Sequence, residues 1–181
     1  MVVSKTCSYI LCAILALGIH LTAYAGRPSV GIYNSLKGFG VTMWLFPDLG
    51  PANTFTLYAD IYGMPMGKIE KPGFKFNYSR NYAFASYGLE NTFLALYAGP
   101  GASIGYVNDN GKAEAGMMMS LSGTAGIHAD FNKRISLSAG FSTEFGLHLR
   151  KDETYGIWNM SYYKNGFYQA WQPYLSILFV L

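Results

Sequence analysis

From Ile135 to Arg150 apolar and polar positions alternate without a break. Ile135, Leu137, Ala139, Phe141, Thr143, Phe145, Leu147 and Leu149 fall on one side, and Ser136, Ser138, Gly140, Ser142, Glu144, Gly146, His148 and Arg150 on the other. A period of two over this length predicts a strand with one apolar face and one small, polar face. The preceding stretch repeats the pattern, with Met117, Met119, Leu121, Ile127, Ala129 and Phe131 opposite Met118, Ser120, Ser122, Thr124, Gly126, His128 and Asp130; Asn132, Lys133 and Arg134 then form a short turn. Phe55 to Ile61, Phe74 to Phe84 and Leu94 to Tyr106 alternate in the same way, less cleanly. Globular strands run to about five or six residues, whereas a tilted strand crossing an outer membrane needs about nine to eleven, so these lengths favour the membrane case.

Charge placement agrees. Of the 22 charged residues left once Lys5 is set aside, only Asp60, Lys75, Arg80, Asp130, Glu144 and Arg150 fall inside the expected strands. All but Arg80 sit on the polar face. Arg80 either turns inward at a bulge or snorkels to a membrane boundary, and the bulge is preferred because a charge facing lipid at mid-depth costs about 2–4 kcal/mol. One apolar face, one polar face and long strands make a closed barrel, polar side inward, lipid covering the outside. A soluble lipocalin-like barrel is the inverted alternative, with an apolar interior and a charged exterior.

Connections alternate in length: short near Pro47 to Asn53, Leu89 to Asn91 and Asn132 to Arg134, long at Met64 to Gly73, Val107 to Ala113 and Lys151 to Phe167. The short ones are assigned to the inner side and the long ones to the outer. Seven strands start near positions 39, 54, 74, 92, 115, 135 and 168. An even count places the C-terminus on the inner side, so Ser29 to Asn34 is taken as a further first strand, turning near Ser35 to Gly38. The expected fold is an all-β, eight-stranded, antiparallel, up-and-down transmembrane barrel.

Composition narrows the class. The 181 residues are 51% hydrophobic and only 13% charged, where a soluble domain is roughly one quarter charged. Twelve basic residues against 10 acidic ones, Lys5 excluded, are too balanced for a nucleic-acid partner. Met1 to Ala25 has the form of a cleavable export signal, with Lys5, an apolar run from Tyr9 to Leu21 and the ending Ala23, Tyr24, Ala25, so residues 26–181 are expected as one mature barrel domain. The run is short for a membrane anchor. Cys7 and Cys12 fall inside the expected signal segment, which leaves no cysteine for a disulfide framework.

The chain ends in an uncharged strand in which Tyr174, Ser176, Phe179 and Leu181 match the assembly signal of bacterial outer-membrane barrels. Ser replaces the more usual Gly and Leu the more usual Phe. Together with the segments Pro72 to Tyr82, Leu96 to Val107, Ile135 to Arg150 and Tyr163 to Leu178, it resembles the small outer-membrane β-barrel proteins of Gram-negative bacteria, the OmpX-like and OmpA-barrel group, and more particularly their Bacteroidota relatives. That resemblance implies insertion into the outer membrane by the barrel-assembly machinery after periplasmic chaperoning, and contact with outer-membrane lipids and lipopolysaccharide. It implies no activity, because the fold hosts structural proteins, adhesins and enzymes.

Soluble-enzyme motifs are scarce: no H-E-x-x-H, phosphate loop or cysteine cluster occurs after the signal segment, and the one G-x-S-x-G string, Gly101 to Gly105, falls inside the alternating stretch Leu94 to Tyr106 and not at a strand-to-helix turn. No metal or other cofactor is expected. Pairing Phe131 with Ile135 sets Ser138 opposite His128, Met118 opposite His148 and Ser122 opposite Glu144, with no acid beside either histidine. Asp60, Lys75, Arg80, His128, Glu144, His148 and Arg150 are expected as a polar network filling a narrow lumen, a plug rather than a pore. The enzyme alternative is lipid A modification, an acyltransferase or deacylase, for which His148 and Ser161 are the only pair to test. Trp44, Tyr106, Trp158, Tyr162, Tyr163, Tyr168 and Trp171 are expected as interfacial girdles. Tyr155, Trp158, Tyr162, Tyr163 and Lys164 mark an aromatic outer loop able to bind a surface ligand, unless Tyr155 and Ile157 to Ser161 extend the wall instead.

Overall fold

The structure is a computed structural model that describes residues 27–46, 50–61, 72–109, 115–131, 134–151, 156–164 and 173–181. The expected signal segment, Tyr155, Tyr168 and Trp171 lie outside the described residues. Among the described residues nine strands form one closed antiparallel sheet: β1 (Arg27–Ser35), β2 (Gly38–Phe46), β3 (Ala52–Asp60), β4 (Gly73–Leu89), β5 (Thr92–Asn108), β6 (Ala115–Phe131), β7 (Ile135–Lys151), β8 (Trp158–Tyr162) and β9 (Pro173–Val180). Neighbours in sequence pair around the ring, and β1 closes on β9. β8 and β9 are two pieces of a single returning strand, both paired to β7, so the wall has eight strands.

The period of two in the sequence becomes the two faces of the wall. Ile32, Val41, Leu57, Phe76, Ile104, Leu121, Phe141, Phe145 and Ile177 are exposed on the outside, Leu121 to 73%. Thr42, Thr54, Thr56, Ser79, Ser103, Ser120, Ser136, Ser138 and Ser176 are buried inside. This is the reverse of a lipocalin-like barrel.

The first strand and its tight turn are where the sequence predicts them. The Ser35 hydroxyl accepts the Lys37 and Gly38 backbone N–H groups, both at 3.3 Å, which satisfies the two-residue turn. The pairing of β6 with β7 follows the predicted register, with His128 opposite Ser138, Met118 opposite His148 and Ser122 opposite Glu144. Gly126 and Gly140 face each other in that ladder, and a Cβ on Gly126 would stand 2.7 Å from the Tyr97 hydroxyl. The bare backbone there makes room for a lumen tyrosine.

Two expectations change. The register shift in β4 lies between Ala83 and Ala85, past Arg80. Arg80 therefore keeps the parity of Phe76 and Tyr78 and faces outward, exposed. The expected outer loop from Lys151 to Phe167 contains wall: Trp158–Tyr162 extends the sheet, as Ile157 to Ser161 could. The last strand is described from Pro173 on, and its expected start near position 168 lies outside the described residues. Seven positions along β7 separate Phe141 from His148, while twelve separate their partners Pro173 and Ser161, so the return carries five residues more than the ladder uses.

Candidate functional site

Inward-facing side chains meet at two levels of the lumen. Near the outer end, the Lys75 ammonium lies 2.6 Å from Glu144 Oε2, and the Ser103 hydroxyl donates to Oε1 of the same carboxylate at 2.8 Å. Lys75 is fully buried, its Nζ 5.0 Å from the Tyr58 ring centre. β4 and β7 thus hold opposite charges across the lumen with the carboxylate also hydrogen-bonded, the condition a buried ion pair needs to offset desolvation.

Just outside this pair, Lys37 folds in from the β1–β2 turn. Its Nζ lies 3.2 Å from Asp60 Oδ2 and donates to the Tyr163 hydroxyl at 2.9 Å. Burial and the neighbouring Lys75 charge pull its pKa down to about 8, against the opposing pull of Asp60 and Glu144. Tyr163 follows directly on β8, is fully buried, and packs with Val107 and Met118 under the outer mouth. Its backbone N–H still bonds the Gly146 carbonyl at 2.9 Å, so the side chain turns inward as the chain leaves the ladder.

Near the inner end Trp44, Ala52, Tyr97 and Leu178 form an apolar cluster with Phe46 against it. The His128 ring stacks on Trp44 at 4.9 Å, and its Nε2 lies 3.1 Å from Asp130 Oδ1. The expectation of no acid beside this histidine is therefore corrected: Asp130 is two residues along the same strand face and its carboxylate folds back. Ser136 donates to the same oxygen. Between the two levels lies a polar cavity of about 40 Å³, lined in part by Tyr33, Thr42, Thr56, Asn77, Asn81 and Tyr174.

The predicted lumen residues separate accordingly. Asp60, Lys75 and Glu144 belong to the outer cluster and His128 to the inner one. His148 is buried beside Tyr163, with Nε2 donating to the Val107 carbonyl at 2.9 Å. Arg150 lies two residues further out, half-buried. Arg80 is outside, its guanidinium carbon 5.9 Å from the Tyr82 ring centre. Ser161 faces His148 across the ladder, but its hydroxyl donates to the His148 backbone carbonyl at 3.5 Å. No hydrogen bond joins the two side chains, so a serine activated by histidine is not assembled. Among the described residues no group of three or more His, Cys, Asp or Glu is placed to hold a metal ion.

Of the expected aromatic girdle, Tyr106, Trp158 and Tyr162 are exposed outside, whereas Trp44 and Tyr163 are lumen residues. Trp44 shares the parity of Thr42, which alternation puts inside. Of the expected outer-loop set, Trp158 and Tyr162 belong to β8, Tyr163 closes the mouth, and Lys164 is exposed with its backbone N–H bonded to Asp109 at 3.0 Å. The closing strand points Tyr174 and Ser176 inward and Phe179 and Leu181 outward, the last two 52% and 77% exposed. Lys37 and Tyr163 as lumen residues are the main features not anticipated.

The fold and its interior define a closed eight-stranded barrel, apolar outside and ionic within. No protein-family model matches the chain, and no curated protein matches its sequence. A solved structure, that of a major outer membrane protein from Thermus thermophilus, aligns over 86% of this chain and 98% of its own, with 16% identity and a TM-score of 0.44. A likeness of that extent transfers no residue role.

Proposed function

We propose that the protein is an integral outer-membrane β-barrel of a Gram-negative bacterium, related to the small barrels it resembles, with a filled, non-conducting lumen. It acts through its place in the membrane and the surface its outer strand ends present. The inversion of polarity carries this reading: Phe76, Leu121, Phe141 and Phe145 are exposed while Lys75 and Glu144 are buried. In water such an exterior would be an apolar patch well beyond the few hundred Å² that monomers usually expose, whereas lipid covers it at no cost.

Ion pairs at the outer level and stacked aromatics at the inner level, with only a small cavity between them, support a plug. Outer-membrane lipids and lipopolysaccharide are the proposed surroundings, and the barrel-assembly machinery and periplasmic chaperones the proposed partners in biogenesis. Trp158, Met160 and Tyr162 on β8, with Lys164, offer the best surface for an external ligand. The test is alkaline extraction of envelopes followed by planar-bilayer recording of the purified protein. Retention in the membrane with no stepwise conductance is expected. Release into the supernatant, or steady porin-like conductance, would overturn the proposal.

A further inference from the structure

Register rows climb as they pass around the wall. From Gly31 one row runs through Thr42 and Thr56 to Asn77 on β4; the other way round it runs through Leu178, Ser136, Asp130 and Phe93 to Gly88 on the same strand. One circuit in strand order therefore rises from Gly88 to Asn77, towards the outer end. At a strand tilt of about 40°, each step to the next strand lifts the row by about 3 Å.

The outward row Phe39, Ala59, Phe74, Tyr106, Met117, Leu149 and Met160 follows this climb. Phe39 lies at the outer end of β2, and Met160, six strands further on, stands about 20 Å higher. β1, β2 and β3 have nine residues each, about 22 Å of height, close to the roughly 25 Å apolar band of an outer-membrane barrel. The short side of the wall thus fills the bilayer, and the tops of β6, β7 and β8 rise beyond it.

What rises is apolar. Trp158 and Met160 are 65% and 67% exposed, and Met117, Leu147 and Tyr162 are exposed beside them. Among the described residues of these strand tops, Lys151 at the edge is the one charged side chain on the outward face. Lipid tails end below this height and the headgroup layer above them is polar, so lipid leaves the patch uncovered. A membrane holds every copy of the barrel upright and at one depth. The same patch on a second copy stands at the same height, and a two-fold axis along the membrane normal brings the two face to face with no charge at their centre.

We propose that the tops of β6, β7 and β8 are the contact face of a homodimer in the outer membrane, centred on Leu149 and Met160 with Trp158 at its edge. The proposal rests on the membrane reading above and names a second copy as the partner of the β8 surface.

The test is thiol cross-linking in isolated outer membranes with a short bismaleimide. Cys7 and Cys12 lie in the expected signal segment, so single-cysteine variants report one position each. Leu149→Cys and Met160→Cys should give a cross-linked dimer, and Phe39→Cys, on the same row but on the short side, should not. Adding Trp158→Ala should weaken association about tenfold, read from the dilution with added lipid at which half the cross-link is lost. Equal cross-linking at Phe39→Cys and Met160→Cys, none at Leu149→Cys and Met160→Cys, capture of a different protein alone, or no effect of Trp158→Ala would overturn the contact face. A heat-modifiable band in each variant separates loss of the contact from loss of the barrel. Wild type recovered in the soluble fraction would overturn the membrane reading itself.

Discussion

Lys75 on β4 and Glu144 on β7 form a buried ion pair across the lumen, Nζ to Oε2 at 2.6 Å, although 69 residues separate them in the chain. Removing either partner leaves a buried charge without its counter-ion. Lys75→Met or Glu144→Leu is expected to lower stability by about 3–5 kcal/mol, while the two together should be far milder than the two losses added. Urea unfolding in lipid vesicles, read as a double-mutant cycle, checks this. Additive losses would contradict a direct pair.

Lys37 predicts a pH dependence. Its pKa in the folded barrel is about 8, below the ordinary lysine value, so between pH 8 and the unfolded value the unfolded chain binds the extra proton. Stability then rises with pH over that window. Burial is the main cause, with the Lys75 charge adding to it. The difference in unfolding free energy between wild type and Lys37→Met should shift in favour of wild type from pH 8 upward. A flat difference would show that Lys37 keeps an ordinary pKa.

Tyr163 closes the outer level and Trp44 the inner one. Tyr163→Phe removes the oxygen that accepts from Lys37 and should cost about 1 kcal/mol. Tyr163→Ala empties a buried aromatic position, at about 3–5 kcal/mol. Because the levels lie in series, neither Tyr163→Ala nor Trp44→Ala alone should conduct in planar bilayers, whereas the double variant should. Conductance from either single variant would show that one level alone holds the seal.

Phe179 and Leu181 point outward on the closing strand, where their side chains add little to the packing of the lumen. Their joint replacement by Ala should slow assembly into the outer membrane far more than it lowers the urea midpoint of protein refolded in detergent. Tyr174, whose hydroxyl bonds Tyr97 inside, should behave oppositely on replacement by Phe. Pulse-chase appearance of the folded gel form separates the two effects.

The wall was legible because alternation along Ile135 to Arg150 fixes both strand and face, and the same parity sends Lys75, His128, Glu144 and His148 inward. It would have sent Trp44 inward as well, had parity been preferred to the habit of tryptophans at membrane boundaries. Arg80 was misplaced for a different reason. Its apparent break in the pattern called for a bulge, but the bulge lies past it and its height depends on cross-strand register. Lys37 and Tyr163 were not legible at all. One sits in a two-residue turn and the other at the point where a strand leaves its ladder, and alternation says nothing about side-chain direction at either place.

The most direct test is gel migration of the protein from isolated outer membranes, unboiled against boiled, for wild type and the Phe179→Ala, Leu181→Ala pair. A closed barrel assembled in the membrane should migrate faster before boiling, with that folded band reduced in the paired variant. Recovery of wild type as a soluble periplasmic protein with one heat-insensitive band would contradict the membrane barrel.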